Sequence, residues 1–184
     1  MLRKRLPIAL VLLYTSIASA ETLTVAGGKT IRSSTTEHDS YRAEVNFNWK
    51  PEIWSHGSWG LSLNHAFSGM TFRDENTVNA ISWAPNLILA AREKNGIHPY
   101  LQLGFGVAYL SDDKFESEPE KHPMYQLDGT TDMGSHWQFE SSLAVGLRIE
   151  SFSIRAKIYH YSNADLADEN EGMDVAEFGV SYRF

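Results

Sequence analysis

The last nine residues of the chain alternate without a break. Ala176, Phe178, Val180, Tyr182 and Phe184 are apolar or aromatic, while Glu177, Gly179, Ser181 and Arg183 fill the positions between them. Successive side chains on a strand point to opposite faces, so this pattern builds a strand with one apolar face and one polar face. Segments of strand character recur at about 22–29, 40–50, 58–68, 77–92, 98–111, 134–148, 152–162 and 174–184, separated by clusters of Gly, Asp, Asn and Ser. No stretch combines a 3.6-residue apolar period with helix caps. The expectation is an all-β chain of eight antiparallel strands.

The first twenty residues stand apart from this pattern. Arg3, Lys4 and Arg5 precede a mostly apolar run from Leu6 to Ile17, and Ala18-Ser19-Ala20 supplies an A-x-A cleavage site. The run is too short to span a bilayer, and the three parts together read as a secretory signal peptide over 1–20. The barrel domain is then expected over 21–184, and loss of the leader's basic residues takes the formal charge from −7 to −10. So acidic a chain is not expected to bind nucleic acid. It contains no cysteine, so neither disulfides nor thiol chemistry enter the reading. No Rossmann or P-loop glycine motif and no H-E-x-x-H spacing is present, so no cofactor and no metal are expected.

An exported chain with alternating strands and a terminal aromatic fits an eight-stranded antiparallel transmembrane β-barrel of the outer membrane. Polarity switches at every residue there because one face meets lipid and the other the interior. With both termini in the periplasm, the turns fall at about 51–57, 93–97 and 149–151. The outer connections are longer, the longest at about 112–133. Trp49, Trp54 and Trp59 cluster at the first inner turn, as an aromatic girdle would. Eight strands leave an interior that side chains can fill, and Arg155, Lys157, Glu177 and Arg183 are expected to pair inside it. Closure removes free strand edges, which leaves monomer and homodimer both open. Pro85 and Trp83 are expected to mark a strand irregularity.

Parity also locates chemistry. On the seventh segment Ile154, Ala156 and Ile158 face lipid, and His160 and Ser162 continue that face toward the outer rim. On the eighth, Phe184, Tyr182, Val180 and Phe178 fix the same even face, which Asp174 continues at its outer end. Residues 163–173 join the two. His160, Ser162 and Asp174 are thus expected on the exterior wall, where ionisable groups point to function. A serine hydroxyl becomes a nucleophile when a histidine takes its proton, and an acid orients that histidine. Ser162 is the candidate nucleophile, His160 the base and Asp174 the orienting acid, with Glu171 as a fallback. Asn163 is a candidate oxyanion donor, although strict alternation turns it inward, and it can equally be a turn residue.

At these residues the chain resembles the PagL family of outer-membrane lipid A 3-O-deacylases. The resemblance rests on His160-Tyr161-Ser162-Asn163-Ala164 and Gly172-Met173-Asp174, with ISWAP at 81–85, HPYLQLGFGVAYLS at 98–111 and MGSHWQFE at 133–140. It implies a barrel with an outward-facing active site. It further implies lipopolysaccharide as substrate, cleavage of the 3-hydroxyacyl ester at the 3-position of lipid A without a metal, and an outer-membrane location. Two residues depart from the family's pattern. Asp174 stands where glutamate is common, and Asp165 where glycine is common. The other readings are a non-enzymatic small barrel, an adhesin or transport protein, and an outer-membrane phospholipase. The acidic outer loops, from Asp112 to Glu120 and from Asp165 to Glu171, read as solvated.

Overall fold

A computed structural model describes residues 21–32, 38–92, 96–116, 121–122, 125–126 and 129–184. The expected leader lies outside the described residues, as do Glu118 and Glu120 of the acidic loop. The elements are β1 (Thr22–Arg32), β2 (Asp39–His56), β3 (Trp59–Arg73), β4 (Thr77–Ala91), β5 (Ile97–Leu110), β6 (Lys114–Glu116), β7 (Lys121–His122), β8 (Tyr125–Gln126), β9 (Thr130–Asp132), β10 (Trp137–Ile149), β11 (Phe152–Ser162) and β12 (Met173–Arg183). A closed barrel runs β1-β12-β11-β10-β5-β4-β3-β2, and its pairs are antiparallel. Pairs β6–β9 and β7–β8 form small sheets within the long outer connection between β5 and β10. The expected all-β, eight-stranded barrel is what the chain builds.

Some boundaries differ from the sequence reading. The first inner turn was expected over 51–57, but β2 runs on to His56. Its register against β3 shifts between Asn48 and Lys50 and again between Lys50 and Trp54. These irregularities carry Pro51, whose missing N–H is tolerated where a ladder is interrupted. The turn itself is Gly57-Ser58, with Gly57 at φ 55°. Strands β1 and β3 continue to Arg32 and Arg73 at the outer end. In β4 the pairing with β5 lapses at Ala84 and Pro85 while the register on either side is unchanged, and Pro85 stays in register with His65 of β3, so the expected irregularity amounts to two missing rungs and no bulge.

Outside, Val25, Phe67, Ile81, Leu103, Phe105, Val145, Ile158, Phe178 and Val180 are exposed, forming the apolar face that a bilayer covers. Inside, Arg42, Arg155 and Lys157 meet Glu44, Glu140 and Glu177. Arg42 lies 3.1 Å from Glu140 and 3.2 Å from Glu177, Arg155 2.6 Å from Glu44, and Lys157 3.1 Å from Glu140. Tyr159 and Tyr161 donate to Glu177 and Glu140, both at 2.8 Å. Of the expected inward set, Arg183 stands apart at the periplasmic mouth, donating to the Glu150 carbonyl. The alternation does not announce one further feature. Toward the outer end the inward residues turn apolar, and Met70, Phe72, Val78, Leu110, Phe115, Met133, Met173 and Val175 pack into a plug above the ionic layer. The outer connection supplies two of these, Phe115 and Met133, so that loop closes the barrel and reaches the base of the site.

Candidate active site

The ladder between β11 and β12 sets His160 directly opposite Asp174. Tyr159 and Tyr161 on either side of His160 are buried in the lumen, whereas His160 is exposed and Ser162 and Asp174 are half-buried. All three therefore lie on the outer wall, as parity requires. On the same face below them come Ile158, Ala156 and Ile154 of β11, with Ala176 and Phe178 of β12. This apolar lane runs from the site down the wall that faces lipid.

His160 Nδ1 lies 2.6 Å from Asp174 Oδ1. A carboxylate only accepts, so Nδ1 carries the proton and donates it, and Nε2 keeps the lone pair. In the neutral ring that leaves a basic nitrogen on the edge away from Asp174. Gly172 gives the imidazole room. It adopts φ +68°, and a Cβ on it would come within 3.1 Å of His160 Cε1. Glu171, the fallback acid, is engaged elsewhere, its Oε2 accepting the Asp132 N–H at 2.7 Å. Glu177 lies in the lumen with Arg42.

Ser162 Oγ accepts the Ala164 N–H at 3.1 Å and donates its own proton to Asn170 Oδ1 at 3.1 Å. The Asn163 N–H donates to the same oxygen at 3.0 Å, and Asn170 Nδ2 donates to Asp165 Oδ1 at 2.9 Å. Sequence reasoning missed Asn170, because a lone asparagine in an acidic loop carries no periodic signal. Ala164 and Asp165 take φ of 55° and 59°, a left-handed pair that L-residues adopt at a cost of roughly 1–2 kcal/mol each. Asp165 therefore keeps the turn that suits glycine and uses its carboxylate on Asn170.

The side chain of Asn163 does not reach the exterior. It is buried, and Nδ2 donates to the carbonyls of Met133 at 2.9 Å and Glu169 at 2.6 Å. Alternation thus holds at this position, and in this structure the amide is engaged inward. The backbone donor beside Ser162 is the N–H of Ala164, which is engaged on the serine oxygen itself. Gly134, at φ +65°, lets this arrangement close, because a Cβ there would strike the Glu169 carbonyl and crowd Asn163 Nδ2. Asp132 joins the two loops. Its carboxyl is held below the usual range, first by the Gly134 N–H and then by Lys114, at 2.9 and 3.0 Å. Among the described residues no group of three or more His, Asp or Glu is placed to hold a metal ion.

The chain is 25% identical to the lipid A deacylase PagL of Bordetella bronchiseptica, over all of this chain and 98% of that protein. It is 26% identical to the lipid A deacylase PagL of Pseudomonas aeruginosa, over 94% of each. Its fold matches the crystal structure of the outer membrane enzyme PagL with a TM-score of 0.73, at 20% identity, over 89% of this chain and 99% of that one. The family model described as lipid A 3-O-deacylase (PagL) matches residues 39–183, most of the barrel and the whole of the site. With that span matched, the chain belongs to the lipid A 3-O-deacylase family.

Proposed function

We propose that this outer-membrane enzyme hydrolyses the 3-hydroxyacyl ester at the 3-position of lipid A, with Ser162 as nucleophile, His160 as base and Asp174 as the group that orients His160. The observation that carries the reading is the His160–Asp174 contact at 2.6 Å on the outward face, with Ser162 two residues along the same face. A lumenal solute would meet neither group. A lipid in the outer leaflet meets both, with its acyl chain against Ile158, Ala156 and Phe178.

Attack begins when the Ser162 proton passes to His160 Nε2 and Oγ bonds to the ester carbonyl carbon. The carbonyl electron pair moves to oxygen, and the Ala164 N–H, which bonds Oγ before attack, is the candidate donor for that oxyanion. Collapse breaks the bond to the sugar oxygen, which takes the proton from His160. Water, deprotonated by the same nitrogen, then releases the fatty acid and restores Ser162. Asp174 stabilises the imidazolium formed in both halves.

The test is mass spectrometry of lipid A from cells expressing the chain, with free 3-hydroxy fatty acid measured alongside. Ser162→Ala and His160→Asn are expected to lower release by at least about a thousandfold, while the barrel still inserts. Full activity of an inserted Ser162→Ala variant overturns the assignment. An unchanged lipid A spectrum with the native chain inserted overturns the activity, and loss of an acyl group from phospholipid alone moves the substrate to phospholipid.

A further inference from the structure

The lumen is neutralised across its middle but not at its periplasmic end. A cavity of about 530 Å³ opens there, lined by Arg92, His98, Arg148 and Arg183 among others. Alternation turns these side chains inward, because Ile88, Tyr100, Ala144 and Ser181, an even number of positions away on the same strands, are buried. Arg92 has a carboxylate partner, Glu52, at 2.9 Å. Among the described residues no carboxylate lies within ion-pair distance of Arg148 or Arg183. The two act on each other as like charges, and Glu21 is the acidic group that acts on Arg148. Arg183 spends one N–H on the Glu150 carbonyl. Arg148 lies over the Tyr100 ring, 5.7 Å from its centroid. That ring occupies the space beside Gly146, where a Cβ would collide with it. His98 stands directly opposite Arg148 on the ladder between β5 and β10, and its Nδ1 is buried without a hydrogen-bond partner. An orphaned polar atom and a pair of facing like charges both cost stability, and one anion relieves both.

We propose that this cavity is a binding site for a small water-soluble phosphate, held by Arg148, Arg183 and His98. A guanidinium presents a planar fork of N–H donors that matches phosphate oxygens, and an imidazole N–H adds a third direction. Donors arriving from β5, β10 and β12 suit a tetrahedral dianion better than a planar carboxylate. The lumenal placement selects the source. The barrel wall separates these groups from lipid, and the mouth opens on periplasmic water, so the ligand is a solute and not a lipid headgroup. The bound ion ties three strand ends together at the end of the barrel opposite His160. General attraction of phosphate to this chain is not expected, since its formal net charge is −7.

Isothermal titration calorimetry of the full chain folded in detergent micelles tests the site, with folding checked by heat-modifiable gel mobility. The probes are inorganic phosphate and, separately, glycerol 3-phosphate, each titrated at constant ionic strength in chloride so that screening cancels. Saturable binding of one phosphate per chain is expected with at least one probe, and the tighter probe names the source. Arg148→Gln and Arg183→Gln are each expected to weaken binding by roughly ten- to hundredfold, the size of one hydrogen bond to a charged group. Arg73→Gln removes the same charge at the outer end and is expected to leave affinity within about twofold. Should Arg148→Gln fail to fold, Arg183→Gln, at an exposed strand end, carries the test. The absence of saturable heat with either probe overturns the proposal, as does equal affinity in the native chain and the folded arginine variants of the mouth. A loss in Arg73→Gln as large as in Arg183→Gln would reduce the effect to overall charge and overturn it too.

Discussion

Asp174 is shorter by a methylene than the glutamate common at its position, yet it reaches His160 because the two residues are direct partners across the ladder. Opposed side chains on neighbouring strands start about 4.5–5.5 Å apart at Cβ, so a short acid closes the gap to 2.6 Å without distortion. The contact is open to its surroundings, with the His160 and Asp174 side chains 46% and 22% exposed. Part of its electrostatic benefit is therefore screened. For Asp174→Asn we expect kcat to fall roughly ten- to hundredfold, short of the ~10⁴ seen when a buried orienting carboxylate is lost. Asp174→Glu should keep more activity than Asp174→Asn, because it retains an acceptor for the Nδ1 proton. Lipid A hydrolysis rates for the two variants check this, and equal rates would remove the orienting role.

The β11–β12 hairpin shows how much one element can declare. Its parity was legible because an apolar-polar period of two leaves a single choice of face, and that choice puts His160, Ser162 and Asp174 outside. The connection between the strands was not legible. Its shape depends on Met133 and Gly134, about thirty residues away in sequence, which receive Asn163 and make room for Glu169. The sequence reading accordingly left Asn163 open between an oxyanion donor and a turn residue and passed over Asn170. Gly134→Ala tests the dependence. A side chain at φ +65° and against the Glu169 carbonyl should displace the 163–172 loop and lower kcat by more than about tenfold, since small misplacements near the chemistry are costly. The barrel strands do not use this residue, so resistance to unfolding should stay near that of the native chain. Equal activity in an assembled Gly134→Ala barrel would sink the idea that this glycine shapes the site.

At the scale of the molecule, the barrel is a rigid frame that keeps the two strands of the proposed site in register. Its lumen is filled by Arg42, Arg155 and Lys157 neutralised against Glu44, Glu140 and Glu177, and by an apolar plug above them. Removing one member leaves a buried charge without its partner. Glu140 accepts from Arg42, Lys157 and Tyr161 together, so Glu140→Ala should destabilise the barrel by about 3–5 kcal/mol. A lowered urea midpoint in detergent measures this, whereas the outward site should keep its chemistry in the folded fraction. An unchanged midpoint would show that the network contributes specificity, not stability.

Alternation along the chain was enough to establish the strand count, the lipid-facing side and the outward placement of His160, Ser162 and Asp174. These are local properties, since the face of a residue follows from its neighbours two positions away. Other features emerge only when distant segments meet. The ladder pairs His160 with Asp174 in register. The outer connection plugs the barrel and supports the loop after Ser162. The direction of the Ser162 hydroxyl is decided last, by Asn170 and Asp165. A hydrogen-bond direction depends on every donor and acceptor around it, and closure of the barrel and its loops is what brings those groups together.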